Sequence, residues 1–236
     1  MLSIVIPAYN EEKRLPKALD PMLAYLKRKN IRHEIIIVAD KGIDRTWDVV
    51  RDYAKRYRAI KYIFNEKKQG KGFALKKGVL KTKGNFVLFA DADTSTPIEE
   101  LDVFLPLMEN ADIVIGSREH KDSKVKNKLI SRVILGNLGN LLLRMLLIKN
   151  VKDTQCGFKL FKGNIARELF GMSLMNGFGF DFEIIFLAQK KNYKIIECPV
   201  HWVFCDGTKV TWQSHFKTLS ELFEIKMNYW KGKYPL

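Results

Sequence analysis

Two carboxylates, Asp91 and Asp93, stand one small residue apart, with Ala92 between them, directly after the run Phe86-Val-Leu-Phe-Ala90. That run is apolar and β-favouring without polar alternation, which suits a central strand of a parallel sheet covered on both faces. Ligands of open α/β sheets collect just past the carboxyl ends of such strands. Two acids at that edge repel each other unless something positive lies between them. A hard divalent cation does this, since Mg²⁺ or Mn²⁺ prefers oxygen and commonly takes one or two carboxylates while substrate phosphates complete its shell. Asp91 and Asp93 are therefore the candidate metal ligands. Thr96-Pro97-Ile98-Glu99 is expected to start a helix just beyond them, with Thr96 as N-cap, Pro97 in the first helical position and Glu99 closing a capping box. A lone Asp-x-Asp is equally a solvated turn, so its neighbours decide.

The elements that must position these acids follow from periodicity. Strands are expected at Leu2 to Pro7, Glu34 to Ala39, Ile60 to Phe64, Asn85 to Ala90 and Asp112 to Gly116, and helices at Glu11 to Arg28, Asp44 to Tyr57 and Gly72 to Leu80. Their alternation predicts an α/β fold with a parallel, doubly wound sheet and right-handed crossovers. Beyond Arg118 the alternation stops. Glu119 to Lys128 is polar and basic, and Leu129 to Ile148 is helical in spacing without a clear polar face. That segment is covered either by core or dimer packing, making a homo-oligomer one outcome, or by lipid, with Lys124, Lys126, Lys128, Arg132 and Lys149 meeting headgroup phosphates. Gly157 to Phe161 follows, then helices over Asn164 to Phe170 and from Asp181, a strand from Lys194 to Val203 broken at Pro199, and an amphipathic tail, Gln213 to Tyr229, using Phe216, Leu219, Leu222, Phe223 and Met227. No linker divides the chain, so residues 1–236 are expected to form one domain.

The 236 residues carry a formal charge of +15 and 47% hydrophobic content, ample for a core. The charge is about +6 over residues 1–118 (22 basic, 16 acidic) and +9 over 119–236 (19 basic, 10 acidic). Phosphorylated substrates, an anionic membrane surface or nucleic acid would each reward that sign. No helix-turn-helix, zinc knuckle or aromatic RNA-binding motif is present, so no nucleic-acid partner is expected. Cys156, Cys198 and Cys205 form no CxxC and no even set, which suits free thiols in a reducing compartment. A strand that begins at Leu2 leaves no room for a signal peptide. The most apolar stretch, Val133 to Ile148, is shorter than the roughly 20 residues a span requires and contains Asn137, Asn140 and Arg144. The expectation is a cytoplasmic chain, peripheral on the cytoplasmic face of a membrane.

Seven ordered segments resemble the signatures of the family 2 glycosyltransferases. They are Pro7-Ala-Tyr-Asn-Glu11, Val38-Ala-Asp-Lys-Gly-Ile-Asp-Arg-Thr46, Gly70-Lys-Gly-Phe-Ala74, Asp91-Ala-Asp93, Asp153-Thr-Gln-Cys-Gly-Phe-Lys-Leu-Phe161, Phe178-Gly-Phe-Asp-Phe-Glu183 and Asp206-Gly-Thr-Lys209. Within that family they are most similar to the dolichyl-phosphate glucosyl- and mannosyltransferases. The resemblance implies a GT-A fold, a Rossmann-like and mostly parallel sheet flanked by helices, with a nucleotide-sugar half over 1–118 and an acceptor and membrane-interface half over 119–236. It implies a UDP- or GDP-sugar donor bound by Pro7, Ala8, Tyr9, Glu11, Asp40, Lys71, Asp91, Ala92, Asp93 and Arg118. Glu11 would accept a ribose hydroxyl and Asp40 a base N–H, although Ala39 stands where the family usually has a first acid. Lys71 occupies a glycine-flanked turn whose backbone N–H groups suit an anion. Arg118 and Lys209 are implied as phosphate clamps, with Asp153, Gln155 and Lys209 on the acceptor side, and Ser95 stands where some relatives carry a Gln metal ligand.

The implied reaction is inverting transfer of glucose or mannose to a dolichyl or polyprenyl phosphate. A phosphate oxygen is already anionic near neutral pH and requires no strong base, so the barrier is the approach of two polyanions, lowered by a divalent ion and by Arg118 and Lys209. Asp181 and Glu183 match acids that serve other family 2 enzymes as the base for sugar hydroxyls, and Asp181 also suits a helix N-cap. A saccharide or glycolipid acceptor is the alternative in which those acids are essential. A non-catalytic nucleotide-sugar-binding module, with Ala39 and Ser95 marking lost chemistry, is the other.

Overall fold

The computed structural model describes residues 1–126, 147–205 and 212–236, with side chains described outside 212–219. A seven-stranded sheet runs in the order β3-β2-β1-β4-β7-β5-β8. Its strands are β1 (Leu2–Ala8), β2 (His33–Asp40), β3 (Ile60–Asn65), β4 (Phe86–Ala90), β5 (Ile113–Ser117), β7 (Phe158–Lys162) and β8 (Ile195–Pro199). A separate ribbon pairs β6 (Lys124–Lys126) with β9 (His201–Val203). Ile4, Val5 and Ile6, Ile35 to Ala39, and Val87 to Ala90 are all buried, as uninterrupted apolar runs require when helices cover both faces.

The two faces take alternate residues of each strand. On one, Ile4, Ile6, Ile35, Ile37, Leu88 and Phe158 meet helices α1 (Leu15–Arg28), α2 (Thr46–Arg56) and α4 (Leu101–Leu107). On the other, Val5, Val87, Phe89, Ile113 and Phe161 meet α3 (Lys71–Val79), α5 (Gly163–Met172), α6 (Phe180–Lys190) and α7 (Trp212–Trp230). The second layer is the richer in rings, with Phe161 edge-on to Phe170 at 6.0 Å and Phe89 edge-on to Phe180 at 5.8 Å.

The sheet is mostly parallel and flanked by helices, as the resemblance implied, but several finer expectations are corrected. The sheet is not parallel throughout, because β7 runs antiparallel to both its neighbours, β4 and β5. Once the strand–helix alternation ends after Arg118, no regular crossover fixes strand direction, and antiparallel entry is open. No capping box forms at Thr96. Pro97 is extended at φ −62°, ψ 147°, a 3₁₀ turn over Ile98–Glu100 leads into α4, and no side chain caps it. What holds the acids instead is a tight turn in which Asp93 Oδ1 accepts the Ser95 N–H at 3.0 Å and Thr94 sits at φ 60°. Helix α1 starts at Leu15, four residues later than periodicity suggested, with Pro16 in its first turn, where the missing N–H costs nothing. The tail helix does not use one apolar face. Leu222 and Ile225 are buried whereas Phe223 and Met227 are exposed. Most of the apolar segment expected over Leu129 to Ile148 lies outside the described residues. Of it, Ile148 is buried in the second layer. Among the described residues no helix is long and apolar enough to cross a membrane.

Helix α3 lies close on the sheet because Gly78 has no side chain. A Cβ there would stand 2.5 Å from Val5 Cγ1 and 2.9 Å from Val38 Cγ2. Gly78→Ala is expected to destabilise the fold by about 1–3 kcal/mol through overpacking, partly offset by about 1 kcal/mol of helix propensity. Urea titration of the variant against the parent chain measures the net loss.

Candidate active site

The carboxyl ends of β1, β2 and β4 open on one edge, and the sequence-predicted acids meet there. Asp91 leaves β4 with its N–H donated to the Gly157 carbonyl at 3.1 Å, and its Oδ1 pairs with Lys71 Nζ at 2.8 Å. Gly157 is small for a reason the sequence does not state: a Cβ there would lie 1.9 Å from Asp91 Oδ2. Lys71, the first residue of α3, also lies over the Phe89 ring at 5.0 Å and the Phe180 ring at 5.9 Å. Burial raises the Asp91 carboxyl above its ordinary range and neighbouring Asp93 pushes the same way, against the pull of Lys71. Burial works against the Lys71 ammonium, yet the charges of Asp91, Asp181 and Asp93 outweigh it and hold its pKa high. Lys71 therefore acts as a resident cation. In the turn after it, the Gly72 and Phe73 N–H groups donate to the Gly177 and Asn176 carbonyls at 3.3 and 3.2 Å.

Asp93 is half-buried, and its Oδ1 holds the Ser95 N–H while no ion pair or hydrogen bond reaches Oδ2 among the described residues. Arg14 lies near enough for Asp93 to raise its pKa, but its guanidinium is already forked onto Glu11, with Nε to Oε2 at 2.6 Å and Nη2 to Oε1 at 2.5 Å. Glu11 is thus in the cleft as an Arg14-bound carboxylate. Asp40 is buried and organises the loop before α3. Its Oδ1 accepts Asn65 Nδ2 at 2.8 Å, and its Oδ2 accepts the Gln69 and Gly70 N–H groups at 2.7 and 3.0 Å. Pro7 and Ala8 end β1, and Tyr9 beyond them carries Lys68 Nζ 4.4 Å above its ring.

Behind the two aspartates lies a second acid–lysine pair that sequence reasoning found only in half. Asp181 accepts a hydrogen bond from Lys159 Nζ, which also donates to the Cys156 carbonyl at 2.7 Å. Both side chains are almost fully buried, and the Lys159 ammonium lies 5.2 Å from the centre of the Phe89 ring. Asp181 is inside α6, with Gly179 at the helix boundary, so it is not the N-cap. A signal for Lys159 existed in the sequence, for it is a cation set between Phe158 and Leu160 in the middle of a strand, where burial demands a partner.

A third pair stands at the end of β5. Arg118 grips Asp153 with Nε to Oδ2 at 2.6 Å and Nη2 to Oδ1 at 2.8 Å, and its backbone N–H adds 2.9 Å to Oδ2. The Trp202 ring lies 5.6 Å from the guanidinium. Burial raises the Asp153 carboxyl, but Arg118 overcomes this and holds it below the usual carboxylate range. Gln155 donates its N–H to Asp153 Oδ1 at 3.1 Å, and Cys156, buried beside that charge, has its thiol pushed up to about 12.

One expected site residue, Glu183, is not brought to this edge. Glu183 is fully buried and accepts from the Leu174 N–H, the Met175 N–H and the Tyr234 hydroxyl at 2.8, 3.0 and 2.7 Å. Those partners occupy both oxygens, so it is a structural carboxylate rather than a base. Lys209 lies outside the described residues.

A Rossmann-like sheet that carries adjacent acids at the end of its central strand, flanked by basic side chains, defines a GT-A glycosyltransferase domain. The comparisons agree. Residues 3–170 match the model of glycosyl transferase family 2. The dolichyl-phosphate beta-glucosyltransferase of Drosophila melanogaster is 36% identical over 251 residues, covering 100% of this chain and 77% of that protein. The Homo sapiens enzyme of the same name is 33% identical, covering 100% of this chain and 78% of that protein. Among solved structures, mannosyl-3-phosphoglycerate synthase from Rubrobacter xylanophilus superposes with a TM-score of 0.70 at 17% identity, covering 100% of this chain and 76% of the other. The mannosyltransferase PcManGT from Pyrobaculum calidifontis, solved with GDP-Man and Mn²⁺, gives 0.64 at 20% identity, covering 96% and 64%. The chain belongs to glycosyl transferase family 2.

Lys159→Met leaves Asp181 as an uncompensated buried charge and is expected to cost about 3–5 kcal/mol, much of it recovered when Asp181→Asn is added. A double-mutant cycle from denaturant curves measures the coupling. Asp153, whose carboxyl is depressed by Arg118, contributes stability that is complete above the unfolded aspartate value of about 3.9 and is lost as pH falls below it. Unfolding free energy followed from pH 6 to pH 2 should therefore fall less steeply for Arg118→Met/Asp153→Asn than for the parent chain.

Proposed function

We propose that this chain transfers glucose from UDP-glucose to the phosphate of a dolichyl or other polyprenyl phosphate, with inversion, at the cytoplasmic face of a membrane. The observation that carries the reading is the similarity, over the whole of this chain and about three quarters of each relative, to dolichyl-phosphate beta-glucosyltransferases. The charge arrangement supports it. A sugar hydroxyl acceptor requires a base with an available carboxylate, whereas Asp181 is closed by Lys159, Asp153 by Arg118, and Glu183 by three donors. A phosphate acceptor needs no such base. It needs cations, and the edge supplies Lys71 and Arg118, with Lys68 beside Tyr9.

The two acids at the end of β4 fit a divalent ion. Asp93 has an oxygen without a partner among the described residues, and burial, with the neighbouring charge of Asp93, raises the Asp91 carboxyl despite Lys71. Only two carboxylates are offered, so oxygens of the donor diphosphate and water would complete the shell, as Mg²⁺ and Mn²⁺ allow. Such an ion, held chiefly by Asp93, would supply Lewis-acid neutralisation of the departing diphosphate. Lys71 holds the Asp91 carboxylate in place and favours its charged form against burial. Pro7, Ala8, Tyr9, Glu11 and Asp40 border the nucleoside side. Arg118, oriented by Asp153, would bind the acceptor phosphate together with Gln155, and Lys209 is assigned to the same role by its motif alone.

Asp93→Ala is expected to lower kcat by at least about 10²-fold while leaving the thermal transition in place. The assay supplies radiolabelled UDP-glucose or GDP-mannose with polyprenyl phosphate in detergent and Mn²⁺ or Mg²⁺, and identifies the product. Mannosyl lipid alone, or transfer to free saccharide alone, would sink the proposal.

A further inference from the structure

Helix α7 buries one stripe and exposes another, and the exposed one is apolar. Phe223, Met227 and Trp230 recur at spacings of four and three, which places them on a single face, and they are 64%, 43% and 66% exposed. The opposite face is fixed to the protein body by Leu222 and Ile225 in the core and by Glu221. Three large side chains facing water over two turns form a patch that monomeric soluble proteins rarely leave uncovered.

Charge selects the occupant. Lys226 stands with its Nζ 5.1 Å over the Trp230 ring, and Lys231 and Lys233 follow, all three within half-buried or exposed positions. Against them Glu224 is the one exposed acid among residues 220–236. A second copy of a chain of net charge +15 would bring like charge to like charge. An anionic bilayer meets both features at once: Phe, Met and Trp enter the headgroup region, where Trp is favoured, and the lysines reach lipid phosphates.

The geometry points to the outer face of α7 as the surface on which this protein docks to an anionic lipid bilayer. The same helix is tied to the acids of the cleft. Glu221 Oε2 accepts the Gly179 N–H at 2.6 Å, and a Cβ at Gly177 or Gly179 would lie 2.1 or 2.7 Å from Glu221 atoms. That glycine-rich loop receives the Gly72 and Phe73 N–H groups of α3, whose first residue, Lys71, pairs with Asp91. A bilayer seated on Phe223 and Trp230 is thus three contacts from the catalytic carboxylate, which suits a phosphate presented at a membrane surface. The purpose of the docking rests on the lipid-phosphate reading; its measurement does not.

The test is co-sedimentation of the full chain with vesicles of phosphatidylcholine containing phosphatidylglycerol, and with phosphatidylcholine alone. F223S/M227S/W230S is expected to lower partitioning onto the anionic vesicles at least about tenfold. K226Q/K231Q/K233Q is expected to reduce the preference for anionic over neutral vesicles by about fivefold per lysine. Both variants should keep the parent's melting transition and its transfer rate on acceptor dissolved in detergent, while losing transfer to acceptor embedded in vesicles. Unchanged vesicle binding by the first variant would overturn the proposal, as would a parent dimer in sedimentation velocity that the same variant dissolves. Vesicle binding that depends on these residues in a chain without glucosyl transfer would sustain the docking surface and reject the proposed reaction alone.

Discussion

Like charges brought close together in a low dielectric repel by several kcal/mol, and the carboxylates at the end of β4 impose that constraint on everything around them. Asp91 and Asp93 are two residues apart, and Asp181 is close enough to raise Asp91 further. The fold answers with cations drawn from elements distant in sequence. Lys71 comes from the start of α3, Lys159 from β7, and Arg14 and Arg118 from the loops after β1 and β5. None of these is a surface salt bridge of the kind that contributes little. Removing either member of the Lys159–Asp181 pair would leave a buried charge alone, so the pair constrains the arrangement even where its net contribution to stability is small.

The same constraint bears on chemistry. Among the described residues, Asp91, Asp153, Asp181, Glu11, Asp40 and Glu183 each have a cation or N–H donors on them, which leaves Asp93 as the position where an added positive charge is favourable. The donor's diphosphate and an acceptor phosphate would each bring negative charge to an edge already organised to balance it. Orientation follows as well, because Arg118 is held by a bidentate contact that fixes the plane of its guanidinium.

The strands were legible because each is a run of Ile, Val, Leu and Phe long enough to cross a covered sheet, and β1, β2 and β4 fall within a residue or two of their expected limits. Asp91 and Asp93 were legible for a related reason: a pair of acids interrupts such a run abruptly. What escaped is what depends on contacts between distant segments. The antiparallel course of β7 cannot be seen in five residues whose pattern fits either direction. The Thr96 capping signature has the right letters, but Ser95, whose carbonyl accepts the Val203 N–H at 2.9 Å, is drawn toward β9 instead. Glu183 looked like a partner of Asp181, yet two residues along a helix point to different faces, and it went to Tyr234. Glycines 157, 177 and 179 are each small because a glutamate or aspartate side chain occupies the space their own would fill.

The insertion of β7 between β4 and β5 has a consequence for how the chain is made. β5 follows β4 closely in sequence, yet the two cannot pair, because five residues from Phe158–Lys162 must first slide between them. A nascent chain that has emerged only as far as Ser117 therefore presents an open, apolar edge on β4 and none of the backbone partners that will close it. Unpaired edges of that kind recruit other chains. The loop-closure entropy of so distant a pairing is lost before its contacts form, which slows completion of the sheet. The strand that carries Lys159 to Asp181 is thus also the keystone of assembly, and synthesis must run well past the middle of the chain before the two halves of the sheet can join.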